Sequence, residues 1–96
     1  MGVPVVTQVG AGHMSRVGAS LLGCAGLGEM VACDAADYVR IAVALAHDPA
    51  RRSVLRANLR QTLLASPLLD HAGFTRRFEA QCRNAWREWC ARQRVA

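Results

Sequence analysis

The residues best suited to chemistry gather in a short segment that follows the first apolar run of the chain. Gly10 and Gly12 stand there beside His13, Ser15 and Arg16. Glycine lets the backbone turn tightly, an imidazole can contact a hydroxyl or a phosphate, and a guanidinium holds phosphate oxygens well. A merely solvated histidine explains His13 equally well. For Arg16 a local role is favoured, in which the side chain anchors the loop to a neighbouring carbonyl or carboxylate.

The same segment partly matches the fingerprint of a dinucleotide-binding loop. Gly10 and Gly12 follow an apolar run and precede a helical pattern, and Asp34 comes about twenty residues later, where that fingerprint places a ribose-binding acid. The third fingerprint position holds Ser15 instead of Gly or Ala, and the chain after Asp34 is helical throughout. A fragment of an NAD-binding oxidoreductase therefore remains an alternative hypothesis, and the plain alternative is that the glycines only permit a tight turn.

No catalytic residue and no metal site can be assigned from the sequence. It offers no histidine-carboxylate pair and no activated nucleophile, so no general base is named. The cysteines form no CxxC pair and have no metal-ligand spacing to the histidines, which are His13, His47 and His71. In a reducing compartment such cysteines usually act as small buried hydrophobes, and we expect this of Cys24, Cys33, Cys82 and Cys90.

The first third of the chain, residues 1–33, has the pattern of a strand, a loop, a helix and a second strand. Val3 to Val9 is rich in β-branched residues and predicts a short buried strand. Ser15 is available as the N-cap of the following helix, and Gly26 as its left-handed stop. Met30 to Cys33 is too short for a helix and suits a small parallel strand. Residues 1–33 therefore predict a βαβ unit.

Residues 34–96 predict three helices. Asp34, Asp48 and Asp70 are the expected N-caps, with Pro49 at the favoured first position of the second helix. The first helix should end near His47, and Ser66-Pro67 should end the second, whose expected inward positions are Val54, Leu55, Leu59 and Leu63. The last helix carries an apolar stripe at helical spacing, consisting of Phe74, Phe78, Cys82, Ala85, Trp86 and Trp89.

The resulting fold class is α/β, mostly helical with one or two short parallel strands. A two-stranded parallel sheet leaves edges and faces uncovered, and parallel sheets normally lie buried inside larger α/β folds. We therefore expect a single domain that is part of a larger lobe. The spacing of Trp86 and Trp89 favours packing in a core or between lobes over stacking on a sugar.

The net charge of +5 comes from twelve arginines and no lysine, which raises the possibility of a polyanionic partner. Arg52, Arg56 and Arg60 share a helix face that a solvated surface explains, so a nucleic-acid partner is not favoured, and a small basic helical binding module is a third hypothesis. No apolar run reaches the roughly 18 residues of a membrane span, and no targeting signal is evident. The sequence therefore predicts a cytoplasmic location and no membrane partner.

The wider pattern adds a family resemblance. Its segments are 2–7, Gly10, 15–22, 26–27 and 29–32, followed by 37–39, 41–45, Asp48, 55–56, 59–60, 66–68, Phe74, Glu79, Trp86 and Trp89. In this order and spacing they resemble the C-terminal catalytic region of the O-GlcNAc transferase family, which includes the SPINDLY-type proteins. The likeness covers nearly the whole chain, and bacterial members with tetratricopeptide repeats look nearest.

This resemblance implies the C-terminal portion of the Rossmann-like donor lobe of a GT-B glycosyltransferase. Such an enzyme would transfer N-acetylglucosamine, or a related sugar, from UDP-GlcNAc or a similar donor to a protein Ser or Thr, with no cofactor or metal. The donor-side residues would be Thr7, Gly10, His13, Ser15 and Arg16. The family's histidine-threonine-threonine donor motif would lie ahead of Met1, so we expect the isolated chain to be inactive and to need the rest of the lobe as its partner.

Overall fold

The computed structural model describes residues 2–95 and contains a short parallel sheet. Strand β1 is Thr7–Gln8 and strand β2 is Val31–Ala32, with Thr7 opposite Val31 and Gln8 opposite Ala32. The amide of Val9 continues the ladder to the carbonyl oxygen of Ala32 at 2.9 Å. The predicted buried strand over Val3–Val9 was too long, because β2 offers only two residues for pairing, and its first part is not buried, since Val3 and Val5 are 75% and 58% exposed. The predicted parallel pairing of the two strands is confirmed.

Helix α1, Val17–Cys24, connects the two strands and completes the predicted βαβ unit. Gly26 ends this helix with a φ of 73°, and the amide of Leu27 donates to the carbonyl of Leu22 at 2.8 Å, which confirms the predicted left-handed stop. The predicted N-cap was wrong. Arg16 occupies the N-cap position and its side chain makes no capping bond to the helix, while the Ser15 hydroxyl donates to the carbonyl of Gly12 in the preceding loop.

Three longer helices follow, as predicted: α2 is Ala35–Ala46, α3 is Pro49–Leu64 and α4 is His71–Val95. Single 3-10 turns at Gly28–Met30 and Pro67–Leu69 lie before β2 and before α4. Each predicted aspartate cap is present. The carboxylates of Asp34, Asp48 and Asp70 accept from the amides of Asp37, Arg51 and Gly73 at 2.7, 2.9 and 3.0 Å.

One arginine of the predicted solvated face has a structural contact instead. The guanidinium of Arg52 donates to the carbonyl of Leu45 at 2.9 Å and also to the carbonyl of Ala46, both in the last turn of α2. A cation favours this end of a helix because the helix dipole is negative there. Arg52 therefore holds α2 and α3 together at their junction.

The core of the molecule is small and lies between α1, the first 3-10 turn and α3. Its buried members are Ala25, Leu27, Met30 and Leu55, and its half-buried neighbours are Val6, Leu22, Leu45, Leu59, Leu63 and Leu68. Leu55 is 5% exposed, as predicted for an inward position, but Val54 is 51% exposed, so the prediction for Val54 was wrong. At helical spacing Val54 lies one residue away from the buried stripe of α3 and faces outward.

Helix α4 extends away from residues 2–69, which we call the body. The molecule measures 64 × 29 × 15 Å, and its radius of gyration of 19.0 Å exceeds the roughly 13 Å of a compact domain of this length. The aromatic stripe of α4 is exposed: Phe74 is 62% and Trp89 is 52% accessible. Among the described residues, Phe74 stacks on Phe78 and Trp86 on Trp89, and both pairs lie within α4. The packing partner predicted for this stripe is not among the described residues.

The cysteine prediction was wrong for this chain. Cys24, Cys33 and Cys82 are exposed and Cys90 is half-buried, because the described residues do not pack over the faces on which they lie. Among residues 2–95, no helix combines the length and the apolar character that a membrane crossing requires.

Candidate functional site

The candidate site is the loop between β1 and α1. It begins at the carboxyl end of β1, beyond the last ladder bond of Val9, and runs to Arg16 at the N-cap of α1. Ligands of open parallel sheets bind at this end of the strands, where helix N-termini also present free amides. The loop therefore occupies the position at which an α/β fold normally builds a binding site.

Hydrogen bonds within the loop fix its conformation. The amide of Gly10 donates to the carbonyl of Ser15 at 3.1 Å, and the amide of Arg16 donates to that of His13 at 3.0 Å. The Ser15 hydroxyl reaches the carbonyl of Gly12 at 2.8 Å, and Nη1 of Arg16 reaches the carbonyl of Gly10 at 3.0 Å. The last contact is the anchoring role that the sequence favours for Arg16. These four bonds hold the loop in its conformation without a ligand.

Two glycines allow close approaches that hold the loop in place. A Cβ atom on Gly10 would lie 2.5 Å from Oγ of Ser15, and one on Gly18 would lie 2.6 Å from Oγ1 of Thr7. Both distances are far inside van der Waals contact, so neither position accepts a side chain without movement. Gly12 has room, because its nearest neighbour would be Oγ of Ser15 at 3.9 Å. Packing against Ser15 therefore requires a glycine at position 10 but not at position 12.

The two basic side chains of the loop lie together. His13 and Arg16 line an open depression of about 480 Å³ with Val17, Ser20 and Leu21, and both are exposed. The first turn of α1 has neither a side-chain cap nor an acidic residue, so its amides and the positive end of the helix dipole remain available to an anion. This surface can accept phosphate oxygens or sugar hydroxyls.

The five residues predicted for the site therefore fall into three groups. His13 and Arg16 face the depression, while Gly10 and Ser15 shape the loop from within. Thr7 lies against Gly18 on the inner side of α1 and does not line the depression. Thr7 therefore packs beneath α1 and supports that helix.

The acid of the dinucleotide fingerprint has another role in the structure. Oδ1 of Asp34 accepts from the amide of Asp37 and caps α2. The loop also differs from the fingerprint, because α1 begins only at Val17, seven positions after Gly10. These features speak against the dinucleotide hypothesis.

A small polar cluster beside the carboxyl end of β2 was missed by the sequence reasoning. Oδ2 of Asp37 accepts from the amide of Cys33 at 3.1 Å and from its thiol at 3.4 Å, while Nε of Arg40 donates to Oδ1 at 2.9 Å. The bond from Arg40, with that from the Cys33 amide, lowers the pKa of Asp37. The bond to Asp37 and the charge of that carboxylate raise the pKa of the Cys33 thiol. The i, i+3 spacing of Asp37 and Arg40 was the available signal.

Within the part of the chain that the structure describes, no three His, Cys, Asp or Glu side chains come together as possible metal ligands. The contacts of Asp37 instead tie the end of β2 to the first turn of α2.

Comparison with known proteins gives the family. The model of glycosyl transferase family 41 matches residues 1–78. Relatives named "Probable UDP-N-acetylglucosamine--peptide N-acetylglucosaminyltransferase SPINDLY" are similar over 90 residues: the Petunia hybrida protein is 44% identical, that of Solanum lycopersicum 46% and that of Arabidopsis thaliana 41%.

These alignments cover 94% of this chain but only 10% of each relative. The chain thus spans about a tenth of the length of these curated relatives. Since the family model covers most of the chain and the relatives agree with it, the chain belongs to glycosyl transferase family 41.

Proposed function

We propose that this chain forms part of the donor lobe of a GT-B glycosyltransferase. The enzyme would transfer N-acetylglucosamine, or a related sugar, from a UDP-sugar to a Ser or Thr hydroxyl of a protein. The observation that carries the proposal is the place of the loop over residues 10–16, at the carboxyl end of a parallel strand in a member of this family. The names of the relatives, which specify a UDP-N-acetylglucosamine donor and a peptide acceptor, support the donor and acceptor classes.

In this proposal His13 and Arg16 contact the donor. The guanidinium of Arg16 has five N–H donors, of which one donates to the carbonyl of Gly10, so the others are available to a phosphate or a sugar hydroxyl. The free amides at the start of α1 add a fixed partial positive charge beside them. The internal bonds of the loop would hold these donors ready, which reduces the ordering cost of binding.

The chain would work together with the rest of the lobe. Its sheet has two strands of two residues each, and an apolar groove of about 460 Å³ lies open along α1 and α3, lined by Val3, Pro4, Leu22, Leu55 and Leu59 among others. Such surfaces are normally covered in an α/β lobe. We therefore expect weak or absent donor binding by these 96 residues alone. The cytoplasmic location stays a prediction from the sequence.

A segment exchange tests the proposal. The matching 90 residues of this chain would replace those of the Solanum lycopersicum relative, and transfer from radiolabelled UDP-GlcNAc to a protein acceptor would be measured beside other nucleotide sugars such as GDP-fucose. We expect the hybrid to transfer sugar. His13→Ala and Arg16→Ala should each raise KM for the donor roughly tenfold, because each removes a hydrogen bond to a polar or charged group.

Met14→Ala is the matched control. Met14 lies between the two basic residues and is 90% exposed, so its truncation should leave KM unchanged. A hybrid that folds but does not bind any nucleotide sugar would refute the proposal. Unchanged kinetics in both the His13 and the Arg16 variants would remove these residues from the donor site.

A further inference from the structure

Helix α4 has two chemically distinct sides. At about 100° per residue, Arg76, Arg83, Arg87 and Arg94 lie within about 40° of one another, roughly opposite the aromatic stripe. We call these four residues the arginine strip. From Arg76 to Arg94 the strip runs for about 27 Å along the helix.

No ion pair within residues 2–95 reaches the strip, whose nearest acidic side chain is Glu79, between Arg76 and Arg83. All four arginines are exposed, and none forms an ion pair with any residue in the range 2–95. The two other arginines of α4 are both paired, Arg77 with Asp70 at 3.7 Å and Arg92 with Glu88 at 3.3 Å. With six arginines and two glutamates, α4 holds four of the five net positive charges of the chain. Within α4, the arginines without an ion pair thus lie on one side of the helix.

Short side chains lie beside the strip. Ala80 and Ala91 lie near the line of the strip, and at its far end Arg87 and Arg94 line a shallow depression of about 350 Å³ with Trp86, Cys90 and Ala91. These short side chains leave room for a peptide backbone beside the arginines at that end. An extended peptide rises about 3.3 Å per residue, so about eight residues would span the strip.

We propose that the arginine strip docks an acidic peptide segment of the protein acceptor. That the partner is an acceptor rests on the proposed function, whereas its acidity rests on the strip. If the rest of the enzyme covers the aromatic stripe, the strip stays on the outer surface, free to meet a substrate. A bilayer would engage the aromatic side of such a helix, and single-stranded nucleic acid stacks on a series of aromatic platforms, whereas only Trp86 adjoins the strip among the described residues.

The test is peptide binding by the protein, with variants matched in charge. Arg83→Gln with Arg87→Gln removes two charges from the strip, and Arg77→Gln with Arg92→Gln removes two from the same helix outside it. Fluorescence anisotropy would follow a labelled octaglutamate and an octaglutamine of the same length. We expect the first pair to weaken octaglutamate binding about fivefold and the second less than twofold, since exposed ion pairs contribute modestly. Octaglutamine should not bind.

Equal losses in the two double variants would overturn the proposal, because binding would then follow total charge and not the strip. It is also overturned if a 20-base-pair duplex, or phosphatidylserine vesicles, bind more tightly than octaglutamate with the same dependence on Arg83 and Arg87. Glutamine and arginine are both good helix formers, and circular dichroism would verify that the helix is intact. No arm of this experiment uses a sugar donor, so its failure and that of the proposed function can be told apart.

Discussion

Replacing Gly18 by alanine should loosen the seating of α1 on the sheet. The new Cβ would lie 2.6 Å from Oγ1 and 3.1 Å from Cβ of Thr7, about 1 Å inside an ordinary contact. Overpacking of this kind costs about 1–3 kcal/mol, while exchanging glycine for alanine in a helix returns about 0.5–1 kcal/mol. We expect a net loss of roughly 1–2 kcal/mol. Native-state hydrogen exchange of the α1 amides would measure it directly.

Gly23→Ala is the control, because Gly23 belongs to the same helix and its added Cβ would meet nothing within 4 Å. This variant should gain about 0.5–1 kcal/mol from helix propensity alone. Adding Thr7→Ala to Gly18→Ala removes the nearest of the clashing atoms and should restore more than half of the loss, which a double-mutant cycle reports as a coupling energy. If Gly18→Ala proved as stable as Gly23→Ala, the proposed contact between α1 and β1 would be wrong.

Three further predictions concern the site and the caps. Gly10→Ala should disorder the loop and abolish donor binding in the hybrid enzyme, whereas Gly12→Ala should be tolerated. The thiol pKa of Cys33 is raised, so Cys33 holds less thiolate at pH 8 and should react with iodoacetamide more slowly than the other exposed cysteines. Asp37→Asn should remove this protection, as mass spectrometry of the labelled peptides would show. Asp48→Ala removes an N-cap and should cost about 1 kcal/mol, lowering the melting temperature of the body by roughly 4–8 °C.

The helices could be predicted from the sequence because their signals are local. A carboxylate three residues ahead of an amide is enough to specify a cap, and the positions of Asp34, Asp48 and Asp70 were confirmed on that basis. Gly26 is equally local, since a left-handed stop needs only the residue itself. The starts of α2, α3 and α4 and the end of α1 followed from these few positions.

What depends on distant partners could not be predicted. The β-branched run from Val3 to Val9 suits a strand, but pairing is decided by the length of β2. The spacing of the aromatic stripe indicates burial, and no described residue buries it. In the site, the sequence suggested two roles for Arg16. The bond of its guanidinium to the carbonyl of Gly10 depends on the folded shape of the loop, which the sequence does not specify. The contacts of Asp37 with Cys33 and Arg40 are local, by contrast, and the i, i+3 spacing of Asp37 and Arg40 was a signal that could have found them.

The separation of α4 from the body bears on how the protein unfolds. Most helical stability in proteins comes from tertiary packing, and the 25 residues of α4 have little of it against the body. α4 contributes little to the small core, so its opening need not be cooperative with that of the body. One melting temperature would then describe neither part. The helicity of α4 becomes a reporter of assembly, rising when a docking surface takes up the aromatic stripe and falling when that surface is lost.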